Sequence, residues 1–265
     1  MTQDAPRTRP LPTLILLTQP HGFVHDVVKR DDGPSRVERT FDELAKRTGL
    51  FRVEWTDDVT TLSPQRIRAA RLIVFYTTGD LPITDEQFDA FESWLNDGGG
   101  FLGIHCATDT LLSHPRYPRI IGAKFDGHPW EHDATVTIKV HEPEWEACQA
   151  FGESYTLTEE IYQYKDFDPT QVRVLISLDM RRTELKKPYH VPVAWCREYG
   201  KGKVFYTELG HRDDVWTNPK YQAHLVGAIR WLLGEDKRDA TPNPEVSRRE
   251  DEAARAAVAA TQPAK

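Results

Sequence analysis

Residues 98–110 read GGGFLGIHCATDT, and two neighbours within them can do chemistry. Cys106 carries the sulfur of a nucleophile. His105, one position earlier, carries an imidazole, which works as a general acid or base near neutral pH or binds a metal. A thiol nucleophile needs a base and an orienting carboxylate. His211 and Asp213, in the stretch LGHRDD, supply both on paper, giving a Cys106–His211–Asp213 triad. The alternative for Cys106 is a small buried residue. Register decides between the two positions, because a shift of one residue reverses the direction of a strand side chain.

The elements that must position these groups alternate along the first half of the chain. Apolar runs at 13–18 (TLILLT), 51–55 (FRVEW), 71–78 (RLIVFYTT) and 101–105 (FLGIH) read as strands. Between them lie helical patterns. Residues 35–48 put Val37, Phe41, Leu44 and Ala45 on one face before Gly49. Ser63–Pro64 is an N-cap followed by a first-turn proline. Thr84 and Gln87 form a capping box, opening a helix with Phe88, Phe91, Trp94 and Leu95 on one stripe. This alternation predicts an α/β fold with a doubly wound, mostly parallel sheet. Ligands of such sheets bind at the carboxyl ends of the strands, so the turn after residue 104 projects a side chain into the crevice. In that register His105 projects and Cys106 turns aside.

The second half is rich in β-structure. Strands are expected at 134–140, 154–164, 173–179, 191–199 and 203–210, and Asn218–Pro219 starts a last helix. Residues 1–11 read as a loose N-terminus and 12–234 as the folded domain. Residues 235–265 read as a disordered or weakly helical tail, since Val258 is the only large apolar residue after Val246.

Composition excludes several classes. A net charge of −7 with scattered Lys and Arg argues against nucleic acid as a partner. No apolar stretch approaches a membrane span, and TLILLT is too short for a signal-peptide core. Three cysteines, an odd number, predict no disulfide framework and a cytoplasmic location. Neither HExxH nor CxxC is present, so a metal would need ligands converging from separate strand ends.

The stretches GGGFLGIHCATDT, FDGHPWEHDATVTI, EEIYQYKDFD, PVAWCREYGKGKVFYTELGHRDDVW and HLVGAIRWLLG together resemble the trehalose-utilization (ThuA-like) family over about residues 13–234. The resemblance implies a flavodoxin-like fold similar to class I glutamine amidotransferases, without their cysteine motif. It further implies a role in the utilisation of trehalose, related disaccharides or their 3-keto derivatives, with a small-molecule sugar as partner. The family's prominent polar positions fall on His21, His25, His105, Thr108, Asp109, His128, Glu160, Tyr162 and His211.

For catalysis the candidates are His105, His211 and Glu160; for ligand binding, His21, His25, Thr108, Asp109, His128 and Tyr162. His21 and His25, four apart, share a face if their segment is helical, though Gly22 permits a turn; they contact a ligand or metal, or are surface groups near a helix start. Thr108 and Asp109 either meet sugar hydroxyls or cap the next helix. Trp130 beside His128 either stacks on a sugar or fills the core. Glu160 and Tyr162 share a face of one strand, turned to the crevice or to solvent. A divalent metal such as zinc has His21, His25, His105 and His211 as candidate ligands. His114, His132, His141, His190 and His224 default to surface or structural roles. The chain reads as a sugar enzyme, with a non-catalytic sugar-binding module and a thiol amidotransferase using Cys106 as alternatives. A homo-oligomer remains open.

Overall fold

The computed structural model describes residues 10–261. The first half alternates as expected: β1 (Thr13–Leu17), α1 (Arg36–Thr48), β2 (Arg52–Thr56), α2 (Pro64–Ala69), β3 (Leu72–Phe75), α3 (Asp85–Asn96) and β4 (Gly100–Ile104). After α4 (Tyr117–Ile121) come β5 (Lys124–Phe125), β6 (Thr135–Val140), α5 (Glu146–Gln149) and β7 (Ser154–Thr158). Then follow β8 (Tyr164–Lys165), β9 (Arg173–Leu178), β10 (Pro192–Tyr199), β11 (Gly202–Thr207), α6 (Asp213–Thr217), α7 (Pro219–Leu233) and α8 (Pro244–Thr261). Nine strands form one sheet in the order β2-β1-β3-β4-β11-β10-β9-β6-β7, and β5 pairs with β8. The strands from β2 to β11 are parallel to one another, and those from β10 to β7 join antiparallel.

The apolar runs explain the layers. Along β1, Leu14 and Leu16 join the core on one face while Ile15 and Leu17 join the core on the other. β3 divides the same way, with Leu72 and Val74 against Ile73 and Phe75. Strands covered on both faces need no polar alternation. The capping boxes form as read: Ser35 with Glu38, and Thr84 with Gln87. Gln87 also donates to the carbonyls of Val59 and Leu62, tying α3 to the loop before α2.

The structure corrects two expectations. The strand expected at 154–164 stops at Thr158, and the chain resumes pairing only at Ile161 and Tyr164. The tail expected at 235–265 contains the 18-residue helix α8, and its side chains at Val246, Glu250 and Ala254 are buried. Small alanines let this helix approach closely, and polar groups anchor it where large apolar ones are lacking. The Asn243 amide accepts from Val174 N–H at 2.7 Å and donates to Val174 C=O at 3.0 Å. Lys139 meets Glu250 at 2.8 Å, and His190 N–H donates to Asp251 at 2.7 Å. Of the expected loose N-terminus, residues 1–9 lie outside the described residues, and Pro10 and Leu11 are exposed. Residues 262–265 of the expected tail likewise lie outside them.

Behind α8, the Ser177 hydroxyl sits between two imidazoles, 2.9 Å from His141 Nε2 and 2.7 Å from His190 Nε2. Arg249 donates to His141 Nδ1. One hydroxyl can donate only once, so the relay fits two neutral rings. Burial pushes both histidines down to about 4, against the opposing pull of Glu250 on each ring and of Asp251 on His190. Folded-state values below the ordinary 6.5 mean stability that is present above pH 6.5 and lost as pH falls toward 4. Between pH 7.5 and 5 the loss is on the order of 2–4 kcal/mol. Hydrogen exchange across 244–261 should therefore accelerate at pH 5 beyond its intrinsic rate, and unchanged protection would refute the relay.

Candidate active site

β4 and β11 lie side by side in parallel register, with Thr207 opposite Ile104, so the residues after each strand emerge together. The chain turns sharply after Ile104. His105 has φ +46°, a left-handed conformation that costs an L-residue about 1–2 kcal/mol. The turn is held from beneath: Tyr206 OH donates to the His105 carbonyl at 2.7 Å, and the Thr108 hydroxyl lies 3.2 Å from Tyr206 OH. The same turn buries Cys106 completely, and burial first, then Asp109, pushes its thiol well up. Asp213 pairs instead with Arg36 at 2.6 Å. The Cys106–His211–Asp213 triad does not form.

The His105 ring is itself fully buried. Its Nδ1 lies 2.8 Å from the Glu208 carbonyl, which can only accept, so Nδ1 carries the proton. Nε2 faces Glu160 Oε2 at 3.4 Å and His211 Nδ1 at 3.2 Å; His211 Nδ1 and Glu160 Oε2 are 3.1 Å apart. His211 stands just beyond β11, after Gly210 at φ +128°, where an added Cβ would meet the Tyr221 hydroxyl at 2.7 Å. The His25 ring packs edge-on to His105 at 4.9 Å and to His211 at 5.1 Å. His25, His105, Glu160 and His211 each bring one ligand atom within 4.8 Å of the others.

Two further carboxylates hold this geometry, and both were missed from the sequence. Glu159 accepts from Glu160 N–H and from Gly210 N–H, each at 3.0 Å. Glu208 accepts from Tyr162 N–H at 2.9 Å and lies 3.3 Å from His105 Nδ1. The break after β7 is thus stapled to the turn after β11. The available signal was a glutamate ending the otherwise apolar strand at 203–210, and a paired Glu-Glu where a strand was expected. Burial pushes Glu159 up to about 8 and Glu208 up to about 6, with His105 pulling each back. For His105, burial opposes the charge, but Glu208 and Glu160 outweigh it and raise the ring to about 10. Burial, then His105 and His211, pushes His25 down to about 2. Glu160 is held below the carboxylate range, because hydrogen bonds from His105 and His211 overcome its burial.

The remaining candidates divide. His128 is at the rim, half exposed, with Nδ1 3.5 Å from Glu160 Oε1. The buried Tyr162 ring lies 4.5 Å from His105, and Asp109 is partly buried beyond the elbow. Thr108 is sealed beneath the turn, and neither it nor Asp109 caps the next helix, whose N-cap is Arg116. His21 is exposed and outside the cluster, because residues 21–25 are not helical and only His25 turns inward. Trp130 is core, its indole donating to the Glu184 carbonyl at 2.8 Å. His132, by contrast, lies 6.3 Å from His211. Beside the cluster a cavity of about 420 Å³ is lined by Phe23, His25, Asp26, His132, His211 and Arg212 to Asp214. Phe23 is 64% exposed.

The chain matches the model of the ThuA family, described as trehalose utilisation, over residues 19–232. A ThuA-like protein of Bacteroides uniformis is similar in structure, with TM-score 0.68 and 22% identity, covering 93% of this chain and 100% of that one. A ThuA-like protein of Parabacteroides merdae has TM-score 0.64 and 13% identity, covering 89% and 98%. A cytoplasmic protein of Salmonella typhimurium follows the same fold with TM-score 0.57 and 12% identity, covering 84% and 99%. No curated protein matches the chain.

The elbow yields a stability test that separates backbone from side chain. Glycine tolerates the left-handed turn and alanine does not. His105→Gly should resist urea better than His105→Ala by about 1 kcal/mol, although both lose the imidazole. The reverse order would show that the turn at His105 is not strained.

Proposed function

Since the chain belongs to the ThuA family of trehalose utilisation, we propose that it acts on trehalose, a related disaccharide or a 3-keto derivative, bound at the carboxyl end of the sheet. One observation carries this reading: His105, Glu160 and His211 form a closed triangle with edges of 3.1–3.4 Å beside a cavity of about 420 Å³. Sites of that size hold small ligands with a few convergent polar groups.

The triangle is a proton-sharing unit. Glu160 is ionised, His211 reaches the cavity edge, and His105 stands behind both with its Nδ1–H donating to the Glu208 carbonyl. Such a unit moves a proton to or from a sugar hydroxyl, or the carbon beside a sugar carbonyl. His128 stands 3.5 Å from Glu160, and the Tyr162 ring packs 4.5 Å from His105. The donor set of His25, His105, Glu160 and His211 makes a divalent cation part of the same reading. No described helix is long and apolar enough to cross a membrane. With all three cysteines free and buried, a cytoplasmic setting is the one that suits the chain. The thiol amidotransferase alternative finds no support in a sealed Cys106.

Titration calorimetry against trehalose and 3-keto-trehalose, followed by product analysis, tests the reading. Binding in the micromolar to millimolar range with conversion of one sugar is expected, and Glu160→Gln should lower turnover by roughly 10²–10⁴. Binding without product would leave a sugar-binding module. Neither binding nor product would end the proposal.

A further inference from the structure

We infer that His25, His105, Glu160 and His211 hold a divalent transition-metal ion of the zinc type at the edge of the cavity. Three independent features of the site converge on it.

The first is spacing. Zinc binds nitrogen and oxygen at about 2.0–2.2 Å, so adjacent donors of a tetrahedral ion stand roughly 3.3–3.5 Å apart. The His105–Glu160, His105–His211 and His211–Glu160 donor pairs are 3.4, 3.2 and 3.1 Å apart. They form one face of such a polyhedron, and the His25 donor lies within 4.8 Å of all three. The second feature is an orphan. His25 is 3% exposed, and its Nδ1 is buried with no hydrogen-bond partner. A buried polar nitrogen without a partner costs about 1–3 kcal/mol.

The third feature is charge. Glu159, Glu160 and Glu208 are all buried around His105. Among the described residues, no Lys or Arg forms an ion pair with any of the three; their partners are histidines and backbone N–H groups. Glu160 and Glu208, the two that face the His105 ring, need opposite charge, and a dication supplies two units where imidazoles share protons. Glu208 also completes the usual outer arrangement of a metal-bound histidine: its carbonyl accepts the Nδ1–H hydrogen bond, leaving Nε2 to face the ion.

This inference deepens the functional reading above and rests on it only for the substrate. Expansion to a fifth position, beyond the four protein donors, would admit one sugar oxygen. With the ion in place, His105 and His211 are committed as ligands. The ion would supply Lewis-acid polarisation of the sugar oxygen, and His128 and His132 would be the side chains left to exchange protons in place of the triangle.

The full-length protein, purified without chelator, should carry about one Zn, Fe or Mn ion per chain by elemental analysis. After stripping, titration with Co2+ should give the visible d–d absorption of a four- or five-coordinate site and raise the melting temperature. His211 is at the rim, so His211→Ala should fold, as far-UV circular dichroism checks, yet lose the Co2+ absorption. Glu208→Gln should weaken Co2+ by roughly 10–100-fold. No Co2+ absorption in the wild type, or unchanged absorption in His211→Ala, would overturn the inference. Sugar conversion by the stripped protein would sink this inference alone. Ion binding without sugar binding would sink the functional reading alone.

Discussion

A carboxylate buried without compensation is among the costliest groups a fold can contain, and this molecule buries two beside each other. Glu159, raised to about 8, accepts from Gly210 N–H and from its own neighbour Glu160, and the Glu208 carboxylate accepts from Tyr162 N–H and faces His105 Nδ1. The segments they join are those that carry Glu160, Tyr162, His105 and the turn before His211. The usual relation of scaffold to site is therefore partly inverted. The irregular chain after β7 keeps only intermittent backbone bonds, from Glu159, Ile161 and Gln163 N–H to Ala134, Trp130 and Gly127, and the two glutamates add to them. Their desolvation is tolerated only while those partners stay put, which makes the arrangement cooperative.

The two halves of the sheet contribute differently. The parallel half delivers His105 and His211 by simple adjacency, because β4 and β11 end in register. The antiparallel half delivers Glu160 by stopping short. Between them, His25 arrives on a loop pinned across the end of β3: His21 N–H donates to the Thr78 carbonyl, and the Thr78 hydroxyl donates to the Phe23 carbonyl. Gly79 sits directly beneath, where any side chain would strike the His21 carbonyl.

Much of this was legible in the sequence, and the parts that were not share a cause. Apolar periodicity and capping residues report local structure, so β1 to β4, α1, α3 and α7 fell close to where the pattern put them. The register argument at 101–106 expected His105 to project into the crevice; the ring is instead fully buried behind His211 and Glu160, because the chain leaves β4 after Ile104 with His105 at φ +46°. Glu159 and Glu208 escaped because their role depends on partners 51 and 46 residues away. His21 and His25 looked alike in the sequence; only a non-helical loop distinguishes them. The docking of α8 was hidden for another reason. Composition shows the lack of large apolar groups, but not that Asn243, Glu250 and Asp251 find partners on the sheet.

Asn243 has a wider consequence. β6 meets β9 only from Ile176 to Leu178, and beside Val174 the amide side chain of Asn243 takes the place of a neighbouring backbone. A gene product cut after residue 234 would uncover that N–H and C=O together, leaving a short length of adhesive strand open to any extended peptide. The last helix therefore acts as a stopper against unwanted association, and shortened forms should be prone to clumping even where the catalytic end is untouched.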